Sequence, residues 1–108
     1  MGISFKKAFM RITDKDKQAI INMTHQCFDD STEVYLFGSR VDDSKKGGDI
    51  NLYIIPTHKN NATQLFDKKI KFLVALNLAL GEQQIDVIIA KDKNRLIEKE
   101  AVRTGVKL

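Results

Sequence analysis

The sequence predicts an α/β (α+β) domain: a small mixed sheet, three-stranded or slightly larger, packed by helices in the order α-β-β-α-β-α. Three observations carry that expectation. Short β-prone apolar runs are stopped by Gly or Pro, longer stretches place apolar residues at helical spacing, and the two kinds alternate along the chain. At 108 residues the chain has room for one domain, spanning 1–108, and not for two ordinary ones. With 43% apolar and 30% charged residues, it falls among globular rather than disordered sequences.

After a lead-in, Thr13 followed by Asp14 and Asp16 has the pattern of a helix cap with acids in the first turn. Ile20, Met23, Cys27 and Phe28 then form one stripe of an amphipathic helix that Asp29–Ser31 should end. Val34-Tyr35-Leu36-Phe37 suits a buried strand stopped by Gly38. The polar stretch from Arg40 to Gly48 predicts a loop or a single helical turn. A second strand should run from Asp49 to Ile55 and end at Pro56. Asn60 or Asn61 can cap a second helix that reaches Leu80 and stops at Gly81. Its back half, from Ile70 to Leu80, is apolar nearly all round, which predicts burial on both sides by its own sheet or by a partner. Ile85–Ile89 reads as a third strand and Asn94–Arg103 as a last helix ending at Gly105.

Several function classes drop out. No apolar run reaches the roughly 18 residues that span a bilayer, and the first residues lack the apolar core of a secretory signal. A cytoplasmic location is the expectation. One cysteine, Cys27, allows neither an internal disulfide nor a cysteine metal cage, and reads as a small buried hydrophobe. His25 and His58 stand alone, without ligand spacing. The net charge of +4 permits an anionic partner, but the basic residues are dispersed and a nucleic-acid reading has only that charge behind it.

The chemistry concentrates on the strands. In the second, Asp49, Asn51 and Tyr53 should share one face while Ile50, Leu52 and Ile54 take the other. Same-face neighbours lie about 6.5–7 Å apart along a strand, close enough to converge on one ion or a pair. In the third strand Asp86 is the single polar residue, and an acid among Ile85, Val87, Ile88 and Ile89 invites a site hypothesis if it is buried. Upstream, Gly38 lets a ligand approach the backbone, Ser39 and the following N–H groups can hold phosphate oxygens, and Arg40 adds a positive charge.

A strand, Gly-Ser, about ten residues, Asp-x-Asp on a second strand, a helix and a third acid on another strand resemble the signature of DNA polymerase beta-like nucleotidyltransferases. The segment VYLFGSRVDDSKKGGDINLYII resembles their minimal, single-domain branch, with nine residues (40 to 48) between Ser39 and Asp49. The ending IEKEAVRTGVKL is similar too, so the likeness covers roughly Thr13 to Leu108. It implies a nucleotidyltransferase fold. Gly38, Ser39 and Arg40 would bind the triphosphate of ATP or another nucleotide, Asp49 would hold Mg²⁺, and Asp86 would be the carboxylate that activates the attacking hydroxyl. It also implies a separate small helical partner, a HEPN protein, with this chain as its antitoxin; self-association stays open.

Asn51 departs from the pattern, standing where the second metal acid belongs. Its amide oxygen can ligate Mg²⁺ without bringing charge. A unit charge at about 4 Å is worth roughly 4 kcal/mol at an effective dielectric of about 20, and a divalent ion doubles the gross figure. Asp42 or Asp43 could lend a carboxylate only from a loop without a strand's fixed geometry. Two functions follow: a nucleotide-binding, partner-binding domain with weakened or lost catalysis, and an active nucleotidyl (adenylyl) transferase acting on a protein or small-molecule hydroxyl.

Overall fold

Thr13 starts the first helix as its side chain predicts: its hydroxyl accepts the Asp16 N–H at 3.0 Å. The structure, a computed structural model, describes residues 12–38, 50–57, 61–81 and 84–108. Helix α1 (Asp14–Cys27) ends where Phe28 N–H bonds back to Thr24. Asp29 then builds the turn, accepting bonds from the Ser31 N–H, the Ser31 hydroxyl and the Thr32 hydroxyl. Strand β1 (Glu33–Phe37) follows and pairs antiparallel with β2 (Ile50–Ile55). Helix α2 (Ala62–Leu80) opens on a capping box in which Asn61 and Gln64 satisfy each other's backbone N–H. It carries the chain across to β3 (Ile85–Ile89), parallel to β2, the crossover that parallel neighbours require.

Helix α3 (Leu96–Thr104) starts two residues later than the sequence predicts. Asp92 accounts for the delay, because its carboxylate accepts the Asn94 N–H and forms a turn there instead. A short fourth strand, β4 (Val106–Lys107), then pairs antiparallel with β1, giving a mixed sheet in the order β3-β2-β1-β4. Gly105 permits that return, since a side chain there would drive into the Ala101 carbonyl. The fold class expected from sequence is the one observed; the expected loop 40–48 and the Asp49 start of β2 lie outside the described residues.

The two sheet faces differ. Val34, Leu36, Ile50, Leu52, Ile54 and Val87 pack with Ile20 of α1 and with Phe72 and Leu76 of α2. Each large side chain buried there contributes roughly 1.5–3 kcal/mol. Cys27 packs against this cluster, and burial raises its thiol pKa against the opposing charge of Lys71. On the opposite face a smaller cluster joins Phe37 and Tyr53 to Ala101 of α3. Among the described residues only one side of α2 is covered: Phe66, Val74 and Leu78 are 62%, 54% and 83% exposed. Among the described residues no helix is long and apolar enough to cross a membrane.

Candidate functional site

Register brings two of the sequence-predicted residues together. Phe37 of β1 stands opposite Asn51 of β2, and Asn51 stands opposite Asp86 of β3. Neighbouring strands lie about 4.8 Å apart, so amide and carboxylate rise side by side from one face. That face is the one away from α1 and α2, because Ile50 and Leu52 are fully buried beneath those helices. The C-terminal end of β1, with Gly38 directly after it, meets the N-terminal ends of β2 and β3 here. Ser39, Arg40 and Asp49 lie outside the described residues.

Asp86 differs from its sequence expectation in one respect. The four apolar residues around it raised the case of a buried acid, yet Asp86 is exposed on the edge strand β3. Its carboxylate therefore bears no large desolvation cost and is open to solutes. A shallow depression of about 320 Å³ wraps this end of the edge and includes Phe37, Asn51, Asp86, Ile88 and Ile97.

Gly38 is required twice over. Its φ is +84°, which L side chains adopt at a cost, and a Cβ there would collide with the Asn51 amide nitrogen. Gly38→Ala should lower unfolding free energy by about 2–3 kcal/mol, combining roughly 1–2 kcal/mol of backbone strain with displacement of the amide. Adding Asn51→Ala should recover the steric part, giving a coupling of about 1 kcal/mol in a double-mutant cycle by urea unfolding. Strictly additive costs would mean that the Gly38–Asn51 approach does not matter.

Among the described residues no group of three or more His, Cys, Asp or Glu side chains could hold a metal ion. One carboxylate beside one amide fits a single hard cation that completes its shell with phosphate and water oxygens. It falls short of the carboxylates that a two-metal site uses.

Sequence reasoning missed Glu98. Its side chain is 1% exposed, yet it lies in the first turn of α3, where an acid normally serves the helix dipole in solvent. Four donors converge on its carboxylate: the Tyr53 hydroxyl at 2.7 Å, the Asp92 and Lys91 N–H groups at 2.7 and 3.0 Å, and Arg95 at 3.3 Å. Burial alone would raise its pKa, but the Asp92 N–H, the Tyr53 hydroxyl, the Lys91 N–H and the Arg95 charge outweigh it and hold the carboxyl below its usual value. The Tyr53 phenol is pushed up to about 12, by burial first and then by Glu98. The one available signal was position, since Glu98 sits three residues before the buried Ala101 on the same stripe of α3.

Glu98 and Tyr53 line a hollow of about 770 Å³ that also takes in Tyr35, Ile55 and Val102. It shares no lining residue with the Asn51–Asp86 depression. Having every bond satisfied, Glu98 reads as the clamp between α3 and the sheet rather than as a reactive acid. No protein-family model matches the chain, and no curated protein is significantly similar to it.

Proposed function

We propose that this chain is a nucleotidyltransferase-type domain that binds a nucleoside triphosphate with Mg²⁺, with catalysis weakened or lost, and acts as the antitoxin-like partner of a small helical HEPN-type protein. The observation that carries the nucleotide half is the cross-strand row Phe37–Asn51–Asp86 on the face away from α1 and α2, next to Gly38. An exposed carboxylate and an amide that could ligate a cation stand beside Gly38, after which Ser39 and Arg40 would take the phosphates. Asp49 and Asp86 would hold the cation with the amide oxygen of Asn51. When bound, the cation would offset phosphate charge. In a transfer reaction Asp86 would take the proton of the attacking hydroxyl, and Asn51 supplies no charge to help it. The partner half is supported by the exposed outer side of α2, where Phe66, Ile70, Val74 and Leu78 are uncovered.

Calorimetric titration with ATP tests the nucleotide half. Binding should require Mg²⁺, and Ser39→Ala or Asp49→Ala should weaken it by about tenfold or more, the loss of one charge-assisted contact. ATP binding that ignores both Mg²⁺ and these substitutions would sink it. A neighbouring reading frame encoding a short, all-helical protein supports the partner half; a purified pair that fails to associate counts against it.

A further inference from the structure

We infer that the open edge of β3 accepts an extended, acidic segment of a partner protein as a fifth strand. This goes beyond the nucleotide site and does not depend on it. Among the described residues β3 ends the sheet order, with β2 on one side and no strand on the other. Ile50 N–H bonds Gln84 O at 2.9 Å and Ala90 N–H bonds Ile54 O at 2.8 Å, which fixes the phase of the ladder. Asp86 and Ile88 therefore turn their backbone groups toward β2, and Ile85, Val87 and Ile89 turn theirs outward. Three N–H and three C=O groups line the edge, the pattern that strand addition uses.

The edge is also a trough. Depressions of about 470 and 320 Å³ run along it and adjoin each other at Lys69, Val87 and Ile88. Leu65, Phe66 and Leu73 of α2 supply an apolar wall for alternate side chains of an added strand. The charged residues lining it are Lys69, Lys91 and Arg95, against Asp86 alone. Neither the Lys69 nor the Lys91 ammonium has an ion-pair partner among the described residues. An apolar segment carrying acids fits that balance.

Other occupants fit less well. The chain's own first eleven residues carry Lys6, Lys7 and Arg11 and no acid, the wrong charge for this trough. A second copy paired antiparallel about Val87 would bring Lys69, which borders Val87 in both depressions, toward its own symmetry mate. A strand seated here would run beside Asp86 and wall in that side of the Asn51–Asp86 depression.

Amide hydrogen exchange on the intact chain tests this with a synthetic peptide of alternating valine and glutamate. Without peptide, the amides of Ile85, Val87 and Ile89 should exchange much faster than those of Asp86 and Ile88. With peptide, they should slow by about tenfold or more, as ladder hydrogen bonds form. Lys69→Glu combined with Lys91→Glu should weaken the peptide by about tenfold, and alternating valine and lysine should bind more weakly still. The same valine–glutamate peptide N-methylated along its bonding edge should not bind. Equal binding of the methylated or the lysine peptide would overturn the proposal, as would unchanged exchange at the three outward amides. Protection of those amides that grows with protein concentration alone would assign the edge to a second copy and overturn it too.

Discussion

Glu98→Ala is expected to lower unfolding free energy by about 3–5 kcal/mol, the loss typical when one partner of a buried charged network is removed. Four groups lose their acceptor at once: the Lys91 and Asp92 N–H groups, the Tyr53 hydroxyl and the Arg95 guanidinium. Each buried donor left unpaired costs about 1–3 kcal/mol, and partial hydration of the loop at 91–92 keeps the sum below the additive figure. A domain of this size has about 5–15 kcal/mol in all, so the variant should sit near the edge of folding. Glu98→Gln keeps an acceptor oxygen and the shape, and should lose about 1–3 kcal/mol. Tyr53→Phe removes a single donor and should cost about 1 kcal/mol. Urea unfolding of the three variants orders them; an alanine variant as stable as the natural chain would remove Glu98 from any structural role.

The pH dependence has a defined sign. The folded Glu98 carboxyl lies below its ordinary value, because its four donors outweigh burial. The native state therefore holds the anion while the unfolded chain takes up a proton as the pH falls. The stabilisation is present above the ordinary carboxylate range and is lost as the pH falls through the folded value. Glu98→Gln should flatten that acid limb. Tyr53 acts at the other end: its phenol, raised to about 12, contributes stability below the ordinary phenol value that is lost as the pH climbs through the folded one.

Local chemistry was readable in the sequence wherever a side chain within a few residues decided the outcome. Thr13 capped α1, Asn61 rather than Asn60 capped α2, and alternation put Ile50, Leu52 and Ile54 in the core. Pairings between distant residues were not readable. Nothing within β2 or β3 says that Asn51 faces Asp86, because register comes from packing α1 and α2 onto the other face. β4 escaped notice because two residues carry no period, and its pairing depends on Gly105 fitting against Ala101. Whether Asp86 is buried was not readable, because β-branched neighbours do not distinguish an edge strand from a central one. Glu98 gave no sign of burial, because an acid in the first turn of a helix ordinarily faces solvent. The apolar back half of α2 foretold an inner contact through Phe72 and Leu76, and left an outer side that the described residues do not cover.

Without nucleotide, Asn51→Asp is expected to make thermal stability depend on Mg²⁺ far more than it does in the natural chain. The new carboxylate would stand one strand from Asp86, at a spacing near 5 Å. Without a cation the two negative charges repel by about 1 kcal/mol at a solvated site, which lowers Tm by about 4–8 °C for a domain of this size. Millimolar Mg²⁺ should reverse that loss, whereas the natural chain, with a neutral amide beside Asp86, should respond far less. With labelled ATP the same substitution should raise Mg²⁺-dependent nucleotidyl transfer, because the missing charge acts where the transferring phosphate concentrates its own. Asn51→Asp together with Asp86→Asn should lose both gains, separating a paired-carboxylate effect from a change at position 51 alone. If natural and variant chains show the same Mg²⁺ response in Tm, the Asn51–Asp86 row is not a cation site. If the natural sequence already transfers strongly and Asp49→Ala abolishes it, Asn51 is a working ligand and the active-enzyme reading replaces the weakened one. The two outcomes differ in kind: the first concerns whether the row binds a cation, the second whether one neutral ligand is enough for chemistry.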